Sequence, residues 1–155
     1  MTIDRDLIFD LFARYGALID ATQYEEWLDL FATECRYQVM PGENWRQGLP
    51  AALIFCDSRA MLEDRILALR EANKYNIHTD RHLIGLPRII SVESAGALVE
   101  ASFAVFQTDA EGESQLFATG LYRDTLVLES GTLKIADKLV LLDTFAVPRL
   151  LASPL

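Results

Sequence analysis

Asp20-Ala-Thr-Gln-Tyr-Glu-Glu-Trp-Leu-Asp-Leu-Phe31, followed shortly by Arg36-Tyr-Gln-Val-Met-Pro41, joins a helix start to a strand and fixes the frame of the fold. Thr22 and Glu25 stand at the Thr-x-x-Glu spacing of a capping box, in which each side chain satisfies a backbone N–H that the first helical turn leaves unpaired. The spacing predicts a helix from about Gln23 to Phe31, with Tyr24, Trp27, Leu28 and Phe31 along one face. So short a helix is unstable alone, and its aromatic face demands a large apolar partner surface. A strand from Arg36 to Met40 follows. The glycines and prolines of residues 41–50 then predict irregular structure.

On the N-terminal side of this stretch, Leu7, Ile8, Leu11, Phe12, Tyr15, Leu18 and Ile19 repeat with helical period, and Asp4 is placed to cap them. On the C-terminal side, Asp57 or Ser58 caps a third predicted helix ending near Asn73. Its apolar face is Met61, Leu62, Ile66 and Leu69, and its wet face Arg59, Glu63, Arg70 and Glu71. From His82 the period changes to two. Residues 89–92, 98–107, 115–128 and 133–142 read as strands separated by hairpin connections at 94–96, 109–112 and 129–132. Strands joined so tightly form an antiparallel meander, and helices gathered at one end of the chain cover one of its faces. The expectation is an α+β fold in which a strongly curved antiparallel sheet wraps over three N-terminal helices, as one domain over residues 1–155.

Composition narrows the function. With 155 residues and 51% hydrophobic content the chain is large enough to bury a core. A net charge of −9 argues against nucleic acid and anionic membrane as partners, both of which require basic patches. The start, Met-Thr-Ile-Asp-Arg-Asp, lacks the pattern of a signal peptide, and no apolar run approaches a membrane span, so a cytoplasmic location is expected. Cys35 and Cys56 read as buried thiols rather than a disulfide.

Two groupings could carry chemistry. A Rieske cluster needs Cys-x-His and Cys-x-x-His pairs, and neither spacing occurs. A mononuclear iron site needs two histidines and a carboxylate, which only His78-Thr-Asp80-Arg-His82 could supply, since residues i, i+2 and i+4 of an extended segment share a face. The alternative reading is a polar strand start with Arg81 beside the acid, and no metal site is assigned. The second grouping is Tyr15 and Asp20, on or just after the first helix, with His82 at the opening of the sheet. An Asp-oriented His is a plausible general base. The competing reading ends the first helix at Asp20 and gives His82 a structural hydrogen bond. There is no Gly-rich phosphate loop and no Gly-x-Ser-x-Gly elbow.

The series Ile19–Phe31, Arg36–Pro41, Gly48-Leu-Pro50-Ala-Ala-Leu-Ile54, Ser58–Arg65 and Arg81-His82-Leu83-Ile84, with Leu116–Tyr122 and Ile135–Leu142 near the end, resembles the small (β) subunit of aromatic-ring-hydroxylating Rieske oxygenases over nearly the whole chain. The resemblance implies a cone-like fold of the nuclear transport factor-two, SnoaL-like type. It further implies a structural role in a complex of three α and three β chains, with self-association as a trimer. On that reading this chain carries no cofactor and no catalytic residue. The Rieske [2Fe-2S] cluster and the mononuclear Fe(II) lie in the large α subunit, and electrons come from NAD(P)H through a reductase. Asn44 to Arg65 is most similar to subunits of oxygenases acting on hydroxy- or aminobenzoates. Trp27 or Trp45 is then expected near subunit contacts. The same fold also hosts dehydratases and isomerases that work through an Asp/His pair, so Asp20, His82 and Tyr15 remain the alternative catalytic set.

Overall fold

The computed structural model describes residues 3–72, 77–144 and 153–155. Helix α1 (Arg5–Asp20) begins where the sequence places it, with the Asp4 carboxylate accepting the Leu7 N–H at 2.9 Å. Ile8, Leu11, Phe12, Tyr15 and Ile19 of the expected stripe are buried, while Leu7 and Leu18 are partly buried against the same core.

The capping box does not form. Thr22 sits at φ 57°, and the Thr22 and Gln23 N–H groups donate to the carbonyls of Ile19 and Leu18, both at 2.9 Å. This is a Schellman closure of α1. Thr22 therefore ends the first helix instead of starting the second, and α2 (Tyr24–Leu28) is capped by Gln23 without a side-chain hydrogen bond. A β-branched residue is strained in the left-handed region. Thr22→Gly, at this exposed position, is expected to raise stability by about 1 kcal/mol. A urea midpoint that falls would show that Thr22 makes a contact worth more than the strain.

Helix α2 also stops before Phe31, which opens strand β1 (Phe31–Pro41). One turn of helix, α3 (Gly42–Arg46), stands in the stretch expected to be irregular. Strand β2 (Ile54–Cys56) is only three residues long, too short for its alternation to show in the sequence. Helix α4 (Arg59–Ala72) is the expected third long helix. Its Ser58 Oγ accepts the Met61 N–H, and Leu62, Ile66 and Leu69 are buried, whereas Met61 is 41% exposed. Arg59 pins α4 to the turn after α2 by donating to the Leu28 and Phe31 carbonyls at 3.2 and 3.0 Å.

The five remaining strands are β3 (His78–Ile84), β4 (Arg88–Val92), β5 (Gly96–Asp109), β6 (Ser114–Glu129) and β7 (Thr132–Leu142). Strands β4 to β7 lie within two residues of the expected bounds, whereas β3 stands ahead of the first bounded strand, in the segment read as a polar strand start. All join one seven-stranded sheet of order β2-β1-β7-β6-β5-β3, with β4 also pairing β5. The β5-β6-β7 meander is antiparallel as expected. The sheet as a whole is mixed, because β1 runs parallel to β7. A parallel neighbour needs a long crossover, and more than half of the chain, residues 42–131, lies between these two strands. Gly120 is required on β6, since a Cβ there would lie 1.9 Å from the Leu141 carbonyl oxygen.

The curved sheet and α1, α2 and α4 enclose the core. Two cross-strand rows line its inner face. Val99, Asp124, Lys138, Tyr37 and Cys56 form one, and Ala101, Tyr122, Val140, Val39 and Ile54 the next; every member is buried. Cys35 and Cys56 are free, buried thiols. Among the described residues no helix is long and apolar enough to cross a membrane.

Candidate functional site

The end of α1 carries Asp20 to the middle of β3, 62 residues away, where its carboxylate takes three hydrogen bonds from His82. The backbone N–H donates to Oδ2 at 2.9 Å and to Oδ1 at 3.2 Å, and the ring Nδ1 lies 2.6 Å from Oδ1. An ionised carboxylate only accepts, so Nδ1 bears the proton. The guanidinium of Arg81 adds a longer ion pair to Asp20 at 3.7 Å. Both partners are withdrawn from water, with side-chain exposures of 6% for Asp20 and 0% for His82. The other ring nitrogen, Nε2, is buried without a hydrogen-bond partner among the described residues. Gly16 makes this approach possible, because a Cβ there would meet the His82 Cβ at 3.2 Å and the Ile84 Cδ1 at 3.1 Å. The pair itself lines a groove of about 260 Å³ between α1 and β3, together with Ala13, Ala17, Arg81 and Ile84 among others.

Of the expected catalytic set, the structure thus unites Asp20 and His82. Tyr15 does not bond to them. Its O–H donates to the Leu155 carbonyl at 2.6 Å, and burial pushes its pKa well above the phenol range, with Tyr37 and Tyr122 adding to the effect. The three candidate iron ligands do not converge. His78 Nε2 lies 3.3 Å from Asp80 Oδ1 while His82 turns to Asp20, and among the described residues no group of three or more His, Cys, Asp or Glu side chains is placed to hold a metal ion.

Four inward polar residues escaped the sequence reading: Tyr37, Tyr122, Asp124 and Lys138. Lys138 Nζ donates to Asp124 Oδ2 at 2.8 Å, each side chain being 1% exposed. The ammonium also lies 3.4 Å from the Tyr122 ring centroid and 4.0 Å from that of Tyr15, so aromatic faces supply the attraction that water cannot. Burial pushes the Asp124 carboxyl up to about 6 against the pull of Lys138. The same burial pushes Lys138 down. Tyr122 Oη and Asp124 Oδ1 are buried without hydrogen-bond partners among the described residues.

Trp27, expected near subunit contacts, is 0% exposed and packs edge-on against Phe31 and Tyr37, so it is a core residue and meets no partner. Trp45 is 43% exposed, with the Arg123 guanidinium 5.9 Å from its ring centroid.

Known proteins resemble this chain along nearly its whole length. The SnoaL-like domain profile matches residues 1–138. The small subunit of anthranilate 1,2-dioxygenase from Burkholderia cepacia is 36% identical over 148 residues, covering 96% of this chain and 92% of that one. Subunit beta 1 of the terminal oxygenase component of terephthalate 1,2-dioxygenase from a Comamonas species is 36% identical, covering 92% and 93%. A crystal structure from Novosphingobium aromaticivorans, assigned as the beta subunit of an aromatic-ring-hydroxylating dioxygenase, superposes with a TM-score of 0.88 at 42% identity over 97% of this chain and 96% of that one. Identity at this level over whole chains, on the cone built above, places the protein in the SnoaL-like domain family, among the small (β) subunits of aromatic-ring-hydroxylating dioxygenases.

Proposed function

We propose that this chain is a non-catalytic subunit that binds and organises the large α subunit of such a dioxygenase, in a complex of three α and three β chains. On this reading the Rieske [2Fe-2S] cluster, the mononuclear Fe(II) and the oxygen chemistry belong to the α subunit, which is supplied with electrons from NAD(P)H through a reductase. The observation that carries the reading is the burial of every inward ionisable group described above. His82, Asp124 and Lys138 have side-chain exposures of 0%, 1% and 1%, which supports a structural role for them. A general base must come within hydrogen-bond reach of the proton it removes.

The outer surface supports assembly. Trp45, Leu49, Leu53 and Phe55 are each between 43% and 50% exposed, and they gather on α3, edge strand β2 and the segment joining them. Clustered exposed apolar side chains mark interaction surfaces. The relatives named for anthranilate and terephthalate act on ring carboxylates, which supports an aromatic carboxylate, including a hydroxy- or aminobenzoate, as substrate of the whole complex.

Co-expression with a large-subunit reading frame that carries Cys-x-His and Cys-x-x-His tests this. The expected result is a co-purifying, coloured, iron-containing complex that oxidises an aromatic carboxylate. This chain alone is expected to be colourless and trimeric by light scattering. Stoichiometric iron in the isolated chain, lost on His78→Ala with His82→Ala, would overturn the proposal, as would failure of the two subunits to associate.

A further inference from the structure

The connection between β3 and β4 holds an apolar side chain out to solvent on a fixed backbone. Leu86 is 78% exposed, more than any other large hydrophobic among the described residues. Gly85, just before it, donates its N–H to the Ser102 carbonyl at 2.8 Å, and Arg88, shortly after it, pairs with Glu100 in the β4–β5 ladder. The Leu86-Pro87 step is thus pinned on both sides. Opposite it stands the first half of α1, and between the two lies an open cleft of about 360 Å³ on the outside of the cone, lined by Arg5, Phe9, Leu86, Pro87, Arg88 and Ile89. Small-molecule sites commonly measure about 300–1,000 Å³.

Four of the six lining residues are apolar, two are cationic and none is acidic. In a chain of net charge −9 this is a local reversal of sign. The Arg5 guanidinium has no hydrogen bond or ion pair among the described residues. That of Arg88 donates to Glu100 Oε2 at 2.7 Å, but Arg123 binds the other oxygen of the same carboxylate. One negative charge therefore stands between two guanidiniums, and Arg88 is left incompletely neutralised. Of the acids flanking Arg5, Asp4 is engaged at the Leu7 N–H and Asp6 does not line the cleft.

A guanidinium offers one ligand both a planar fork for a carboxylate and a cationic plane that stacks on an aromatic face. Phe9, Leu86, Pro87 and Ile89 supply the apolar bed for the ring, and a rigid planar ligand gives up little conformational freedom on settling there. We propose that this outer cleft is a binding site for a small aromatic carboxylate. The ligand is of the class proposed above as substrate of the whole complex, but the site rests on this chain's residues alone.

Titration of the complete chain with benzoate, followed by calorimetry and by amide chemical shifts, tests this. Saturable binding at about 1 mM or tighter is expected, with the shifts centred on Arg5, Phe9 and residues 86–89. Benzamide, which lacks the charge, should bind at least about tenfold more weakly, and so should benzoate to the Arg5→Gln, Arg88→Gln variant. Cyclohexanecarboxylate keeps the charge but loses the aromatic face, and should bind severalfold more weakly. Leu86→Ser, at a position with little burial to lose, should weaken benzoate severalfold and decides the matter together with the shift map should the double variant not fold. No saturable binding, shifts gathered on the interior residues Tyr15 and Tyr37 instead, or equal affinity for benzamide or for the variants overturns the proposal. Because the chain is titrated without an α subunit, such a failure is separate from failure of the two subunits to associate.

Discussion

Lys138→Ala is expected to lower the unfolding free energy by about 3–5 kcal/mol, the cost of leaving one member of a buried ion pair without its partner. The expectation follows from geometry. Asp124 and Lys138 are direct cross-strand neighbours on β6 and β7, bonded at 2.8 Å and shut off from solvent. Removing the ammonium leaves a carboxylate whose other oxygen, Oδ1, already lacks a hydrogen-bond partner. Replacing both residues together, as Asp124→Leu with Lys138→Met, should recover most of the loss, because well-packed apolar pairs commonly match buried ion pairs. Urea denaturation of the three proteins measures this. A double variant as unstable as Lys138→Ala alone would show that the cost lies in packing and not in the stranded charge.

The pair also predicts a pH dependence of definite sign. Burial raises the Asp124 carboxyl to about 6, so the native state holds this proton more tightly than the unfolded chain does. The carboxyl's contribution is therefore largest at acid pH and is lost as pH rises through about 6. The stability of the unaltered chain minus that of Asp124→Asn should accordingly fall from about pH 4 to about pH 6 and level off above. A difference that rises across that window would mean that Lys138 holds the carboxylate ionised more strongly than burial opposes it. Lys138, pushed down by the same burial, acts at the alkaline end, where stability gains as the unfolded chain's lysine would otherwise retain its proton.

What the sequence reveals and conceals follows from the distance over which each signal acts. The helical stripe from Leu7 to Ile19 and the alternation in β5 to β7 are local, and both elements stand where they are expected. The Thr22–Glu25 spacing misleads because a Schellman closure and a capping box compete for the same few residues. Which one wins depends on the packing of Tyr24 and Trp27, both buried. The parallel pairing of β1 with β7 has no local mark at all. The Asp124–Lys138 pair did leave one: Asp124 shares the inward phase of Tyr122 and Leu126, and Lys138 that of Val140 and Leu142. An acid and a base standing in the apolar phase of successive strands are best explained as partners. The hydrogen bonds of Leu155 to Tyr15 and Tyr37 span more than a hundred residues and carry no periodic signature.

His82→Ala separates the two roles open to the Asp20–His82 pair. If the pair is a brace, losing the imidazole removes one of three hydrogen bonds to Asp20, leaves the backbone N–H contacts in place and opens a small void beside Gly16. Stability or assembly should then fall by about 1–3 kcal/mol, while turnover per assembled dioxygenase complex stays within severalfold. If the pair is a general base, the variant should fold and assemble normally and lose about 100-fold or more in turnover. Asp20→Asn sharpens the contrast, since an amide can still accept the backbone N–H yet cannot stabilise an imidazolium. A brace should tolerate it better than His82→Ala, and an acid–base pair should not. The geometry favours the brace. Nδ1 is committed to Asp20, Nε2 is sealed from solvent, and the backbone N–H of His82 binds the same carboxylate, an arrangement that ties the end of α1 to β3 whether or not any proton moves.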